Sequence, residues 1–336
     1  MSQVKRILSV LLVATMVFAL AACNSSNSAG GGKQETFPNK DITFLVPYSA
    51  GGSSDQMARV ISNYSQKYLG VNMVIENVPG GGGNIGLNEL ASKNADGYYV
   101  GSANTSANLQ PLYGQTEYDY LEIFEPIALC VSIPIAVTVP ADSPFQTIEE
   151  LIDFAKENPG KLQYGHAGVG SITHVTAELF AMEAGIEMTQ VPFGSGADAL
   201  TALLGSQIDI DVASLSEVLS HHHEGTARIL ALCTDTTVEG LDVPTLISKG
   251  YNVDMKVTQG IWTLKDVDPE VLKVLDEKFG EIIQDEDFQK ELVSFGMDVD
   301  YLNAADFSAF LKEQRAVFER VVTESGILEM VKSQQK

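Results

Sequence analysis

Short apolar runs alternate with amphipathic stretches along most of this chain. Residues 42–47 read as a buried strand. After the loop 48–52, Ser53 and Gln56 sit at capping-box spacing. Met57, Val60, Ile61, Tyr64 and Tyr68 then mark one helical face, which Gly70 ends. Residues 72–76 and 98–102 are further strands. Between them lie Pro79, four glycines (80–83) and a helix through Leu87, Leu90 and Ala91. The third strand runs out into a polar segment, 103–108.

A second set of elements follows the long apolar stretch 127–139, which Pro134 interrupts. Thr147 and Glu150 repeat the capping-box spacing ahead of Ile148, Leu151, Ile152 and Ala155, and Pro159-Gly160 ends that helix. Strands are expected at 162–164, 188–191 and 208–212, and helices at 172–184 and 198–204. Longer helices start at Asp268-Pro269 and at Asn303. Strands alternating with helices predict parallel sheets with crossover helices. No repeat of fixed period is present. The expected architecture is α/β, with two domains around a cleft: 37–138 with 250–336, and 139–249. The stretch 127–140 makes one crossing, and the return falls within 240–262.

The first 36 residues stand apart from this pattern. Lys5 and Arg6 precede an apolar run, 7–22, that is shorter than a spanning helix of roughly 20 residues needs. It ends in Leu20-Ala21-Ala22-Cys23, which resembles the lipobox of bacterial lipoprotein signals. That resemblance implies a signal peptide over 1–22, acylation of Cys23, and export to the outer face of the cytoplasmic membrane or the periplasm. Residues 24–36 have almost nothing to bury and read as a flexible tether.

Charge then removes several partner classes. With 21 Lys+Arg against 44 Asp+Glu, the net charge is -23. Nucleic acid and anionic membrane surfaces need a basic face that this chain lacks. Cys130 and Cys233 sit in apolar contexts and read as two buried thiols, with a bridge possible in an oxidising compartment. No Cys/His zinc spacing occurs, so no metal or cofactor is expected. His221-His222-His223 could bind a transition metal, but adjacent residues do not share a helix face. They read as a solvated turn.

Three strand-to-helix loops carry the candidate chemistry: 49–55, 165–174 and 193–198. Each presents backbone N–H groups at a helix N-terminus, which favours an anion without any arginine. In open α/β sheets ligands lie beyond the carboxyl ends of the strands, where these loops fall. Ser49, Ser53, Ser54, Ser171 and Ser195 add hydroxyl donors.

In this order and spacing, the chain resembles the substrate-binding component of tripartite tricarboxylate transporters, the TctC or Bug receptors. The landmarks run from Ile42-Thr43-Phe44-Leu45-Val46-Pro47-Tyr48 and Gly51-Gly52-Ser53-Ser54-Asp55 through Glu76-Asn77-Val78-Pro79-Gly80, Gly83-Asn84-Ile85-Gly86 and Asp96-Gly97-Tyr98. They continue with Gly168-Val169-Gly170-Ser171, His174, Val191-Pro192-Phe193 and Asp242-Val243-Pro244-Thr245. The resemblance implies a two-domain, type II periplasmic-binding-protein fold that closes over its ligand, and a monomeric receptor serving one large and one small membrane subunit. It places the ligand at Tyr48, Ser49, Gly51, Gly52 and Ser53; at Asn84 and the Ser102, Asn104, Thr105 turn; at Gly168, Gly170, Ser171 and His174; and at Phe193, Gly194 and Gly196. Asp55 belongs to the first loop but is expected to hold it rather than touch an anion. The edge Tyr48-Ser49-Ala50 departs from the proline and glycine the family often shows. The shortage of basic residues disfavours a tricarboxylate.

Two other classes compete. Residues 81–86 satisfy G-x-G-x-x-G, but Pro79 and the surplus glycines fit a dinucleotide turn poorly, and the next strand ends in Ser102-Ala103-Asn104 instead of an acid. A hydrolase would need a G-x-S-x-G or H-E-x-x-H pattern, which is missing. A receptor that reports to a sensor kinase would use the same ligand-driven closure.

Overall fold

One strand of 17 residues, β4 (Phe124–Pro140), joins every part of the sheet. The computed structural model describes residues 37–114, 116–324 and 327–334. The expected signal segment, the tether and Cys23 lie outside these residues. Almost every β4 side chain is buried, as a run rich in Ile, Val and Ala with sheet on both edges demands. Its first part pairs antiparallel with β9 (Lys256–Leu264) from Phe124 to Pro134. From Ile135 to Pro140 it pairs instead with β7 (Ile210–Ser214) and β8 (Ala227–Leu232). Pro134 stands at the changeover, where its missing N–H costs least.

On the β9 side, β1 (Ile42–Val46) lies between parallel partners β2 (Met73–Asn77) and β3 (Tyr99–Asn104), and β3 runs antiparallel to β9. β10 (Asp298–Leu302) also pairs with β4. On the other side, β5 (Gln163–His166) lies between β7 and β6 (Thr189–Pro192), parallel to both. Helices cover the faces: α1 (Ser53–Tyr68), α2 (Asn84–Ala91), α3 (Thr105–Leu109), α4 (Tyr120–Ile123), α5 (Ile148–Glu157), α6 (Ile172–Ala184), α7 (Gly196–Leu204) and α8 (Leu215–Glu224). After β9 come α9 (Pro269–Ile283), α10 (Glu286–Ser294), α11 (Ala304–Glu324) and α12 (Ile327–Gln334). Trp262 of β9 packs against Phe124, ring centroids 4.5 Å apart, and anchors an aromatic cluster with Tyr120. Among the described residues, no helix is long and apolar enough to cross a membrane.

Three local expectations need correction. Ser53 is not an N-cap. Gly52 takes that place in extended backbone, with no side-chain cap, and Ser53 opens the helix. Glycine leaves room there, and the Gln56 amide turns away to the Ser216 carbonyl at 3.5 Å. The segment containing Ser102, Asn104 and Thr105 is not a turn. β3 runs through Asn104, held by the register Ser102↔Ile261 and Asn104↔Gln259, and Asn104 caps α3 by accepting the Ala107 N–H at 2.9 Å. Finally, His221, His222 and His223 form the last turn of α8, which Gly225 closes at φ 73°. His221 pairs with Thr226 Oγ1 at 2.8 Å, and His222 Nδ1 accepts the Ile229 N–H at 3.2 Å. Burial lowers the His222 pKa. No group of three metal-ligating side chains occurs among the described residues. Cys130 and Cys233 are both free and buried.

Candidate functional site

Three helix N-termini meet at one cavity. It is lined by Tyr48, Gly52, Ser53 and Ser54 from the β1–α1 loop. Ala167, Ser171, Ile172 and Thr173 come from the β5–α6 loop. Ser195 and Gly196 come from the β6–α7 loop. Asn104, Ser106, Ser214, Glu217, Val257 and Gln259 complete the wall. Among the described residues, no lysine, arginine, histidine or cysteine lines it.

The loops reach this point because each follows the carboxyl end of a strand and is pinned by its own side chains. Asp55 accepts hydrogen bonds from Gly51 N–H at 2.8 Å, Arg59 Nε at 2.8 Å and Asn77 Nδ2 at 3.0 Å. Burial acts to raise its pKa, but Arg59, the Gly51 N–H and Asn77 outweigh that and the net shift is downward. Ser171 and Ser195 cap their helices by accepting the His174 and Asp198 N–H groups at 3.3 and 3.2 Å. Tyr48 donates to the Gly82 carbonyl at 3.2 Å, and its burial pushes the phenol up to about 12.

Of the residues expected from sequence, Tyr48, Gly52, Ser53, Asn104, Ser171 and Gly196 line the cavity. The others stand behind it. Ser49 donates its N–H to the Gly194 carbonyl at 3.4 Å, which joins two of the loops. Gly51 is bonded to Asp55. Asn84 bonds Gln110 and Tyr120. Ser102 is fully buried in β3, and Thr105 bonds Thr258. Gly168 lies against Gly82, where a Cβ would come within 2.9 Å of its Cα. His174 Nδ1 accepts the Gly170 N–H at 3.0 Å and the ring stacks on His166 at 4.4 Å. Burial pushes His166 down to about 3. Phe193 donates its N–H to the His166 carbonyl at 3.0 Å. The glycine turn 81–86 is filled, since a Cβ on Gly82 would meet Gln110 at 2.3 Å and the Val169 carbonyl at 2.7 Å.

Sequence reading missed Ser106, Ala167, Ile172, Thr173, Ser214, Glu217, Val257 and Gln259 as wall residues. One signal was present: Ser214-Leu215-Ser216-Glu217 is itself a capping-box pattern. Glu217 reaches back to the Ser214 N–H at 3.2 Å, and its other oxygen accepts the Ser53 N–H at 2.8 Å. Burial pushes its pKa up to about 7 against those two donors, and the Asp198 charge adds to the rise. Behind it, Asp211 is fully buried with neither oxygen paired, and burial holds its pKa well above the carboxylate range.

The strand order and the helix N-termini around one central cleft are those of periplasmic binding proteins. The periplasmic binding protein BugD superposes with a TM-score of 0.83 at 26% identity, covering 86% of this chain and 99% of that one. A UPF0065 protein of Cupriavidus necator is 28% identical over 316 residues, 93% of this chain and 95% of its own. Protein BugT of Bordetella pertussis is 27% identical over 297 residues, 87% and 91% of the two chains. The model of the tripartite tricarboxylate transporter family receptor, TctC, matches residues 57–327, and this chain belongs to that family. It is a ligand-binding receptor by fold and family.

Proposed function

We propose that this chain captures a small carboxylate in the cleft between two lobes and delivers it to a transporter of one large and one small membrane subunit. The observation that carries this reading is the convergence of three helix N-termini on a polar cavity with no basic side chain in its wall. First-turn N–H groups have no helical acceptor of their own and carry the positive end of the helix dipole, so they suit an anion. The lobes are 37–138 with 250–336, and 139–249. Ligand contacts spanning both would stabilise closure. The hydroxyls, amides and single carboxylate of the wall support a binding role. The Leu-Ala-Ala-Cys23 pattern supports export with a lipid anchor.

A thermal-shift screen of carboxylates, sugars and NAD tests this, because a ligand that binds only the folded state raises Tm by mass action. A clear shift with a carboxylate is expected. Gly52→Asp should abolish it by placing a second negative side chain where an added Cβ would lie 3.2 Å from Glu217 and 3.3 Å from Ser195. A shift with a sugar or NAD alone would overturn the reading.

A further inference from the structure

Glu217 poses a charge problem that a plain carboxylate ligand does not solve. Its carboxylate forms part of the cavity wall and takes the Ser53 N–H, a donor that an anion would otherwise use. It is held there by the Ser214 N–H and by close packing, for a Cβ on Gly196 would fall 2.0 Å from its Oε2. Two N–H donors leave about half of a carboxylate's acceptor positions open. The charged or titratable groups around it are Asp198 of α7, Asp211 of β7 and Tyr48 of the first loop, and on its own helix His221, His223 and Glu224, which line a neighbouring groove with it.

A second observation lies on the opposite wall. Gln259 and Asn104 face each other across the β9–β3 register, both line the cavity, and both are almost fully buried. The Gln259 amide donates to Ser53 Oγ at 2.8 Å and leaves its Oε1 unpartnered, while Asn104 leaves its Nδ2 unpartnered. One spare acceptor and one spare donor therefore lie side by side in a wall that also carries a buried acid. Buried polar atoms normally find partners, and a buried charge needs an opposite one.

We propose that Glu217 is a specificity residue for a zwitterion: the cleft takes a carboxylate that also bears a protonated amine. The amine pairs with Glu217 and Gln259 Oε1, and the carboxylate meets Asn104 Nδ2 and the first turn of α6. This rests on the carboxylate reading above and narrows its ligand class.

The test uses matched acids on the full chain at pH 8: succinate with aspartate, glutarate with glutamate, propionate with β-alanine, butyrate with 4-aminobutyrate, and adipate with 2-aminoadipate. Binding is read by thermal shift and calorimetry. At least one amino acid should bind at least ~10-fold more tightly than its plain counterpart, the scale of one charge-assisted pair. Glu217→Gln, which keeps the shape and one acceptor, should remove that preference, and because it takes a negative charge out of the wall it should tighten the plain acids rather than weaken them. In the wild type, affinity for the amino acid should rise with pH through about 7 as Glu217 ionises, and this needs no variant. If, in every pair that binds, the plain acid binds as well as its amino partner, the proposal is overturned while the receptor reading stands. Amine affinity unchanged in Glu217→Gln overturns it too. No shift with any acid overturns both.

Discussion

Ser106 Oγ accepts the N–H of Ile172, the first residue of α6, at 3.0 Å. Ser106 belongs to α3, beside the β9 half of the sheet, and α6 follows β5 in the other half. With the Ser53–Glu217 contact running in the opposite sense, each side fills a helix N-terminus of the other with its own oxygen. The two halves are therefore held together by polar contacts that a ligand's oxygens could replace.

Ser106→Ala should loosen the ligand-free protein. One buried hydrogen bond contributes about 1 kcal/mol, and Ile172 N–H would lose its acceptor. Small-angle scattering should show a larger radius of gyration for the empty variant than for the wild type, and the same radius once a ligand is bound. An unchanged empty radius would show that this contact does not hold the halves together.

Asp55→Ala should destabilise the fold itself. The buried carboxylate takes Gly51, Arg59 and Asn77, so its loss leaves the Gly51 N–H without its acceptor and the Asn77 amide with only the Tyr48 carbonyl. A cost of about 2 kcal/mol is expected in urea unfolding. Asp55→Asn should retain part of it, since the Oδ1 acceptor survives.

Glu217 sets a pH dependence. Its folded pKa of about 7 lies above the ordinary 4.5. The folded state therefore binds more protons than the unfolded one between these values, and stability falls as pH rises through that window. The span corresponds to on the order of 3 kcal/mol. Asp211, also raised, acts in the same direction. Measured from pH 4.5 to 7.5, Glu217→Gln should lose less stability than the wild type. Parallel curves would refute the burial of an ionisable Glu217.

Gly260→Ala should be severe although Gly260 does not line the cavity. A Cβ there would lie 2.3 Å from the Ala128 carbonyl and 2.6 Å from the Phe307 ring. The Ala128 carbonyl cannot move without disturbing the β4–β9 pairing. A loss of about 3 kcal/mol or more is expected by chemical denaturation, at the upper end for overpacking. The double variant with Phe307→Leu should recover part of it.

The periodicities of α1 and α9 were legible because each puts apolar side chains on one face. Residues 172–184 were placed to the residue, from the Ser171 cap to Gly185. The later strands β8, β9 and β10 were not resolved as elements. β9, Lys256–Leu264, mixes Thr258, Gln259 and Gly260 into its middle, so its sequence has no strand period. Its burial comes from β3 and β4 on either side, which local pattern does not report.

The chain's own order of residues determined where strands end and helices begin, and so where backbone N–H groups must lack helical acceptors. That is local chemistry: glycines, serines and prolines act on their immediate neighbours. Which of those loops share a cavity was decided by tertiary structure alone. Ser53, Asn104, Ser171, Glu217 and Gln259 meet only because β4 is long enough to belong to both halves of the sheet. An acid 164 positions from the helix it caps leaves no trace in the sequence near that helix. The charge character of the site was therefore set by long-range packing, where a single buried carboxylate changes what the cavity can accept.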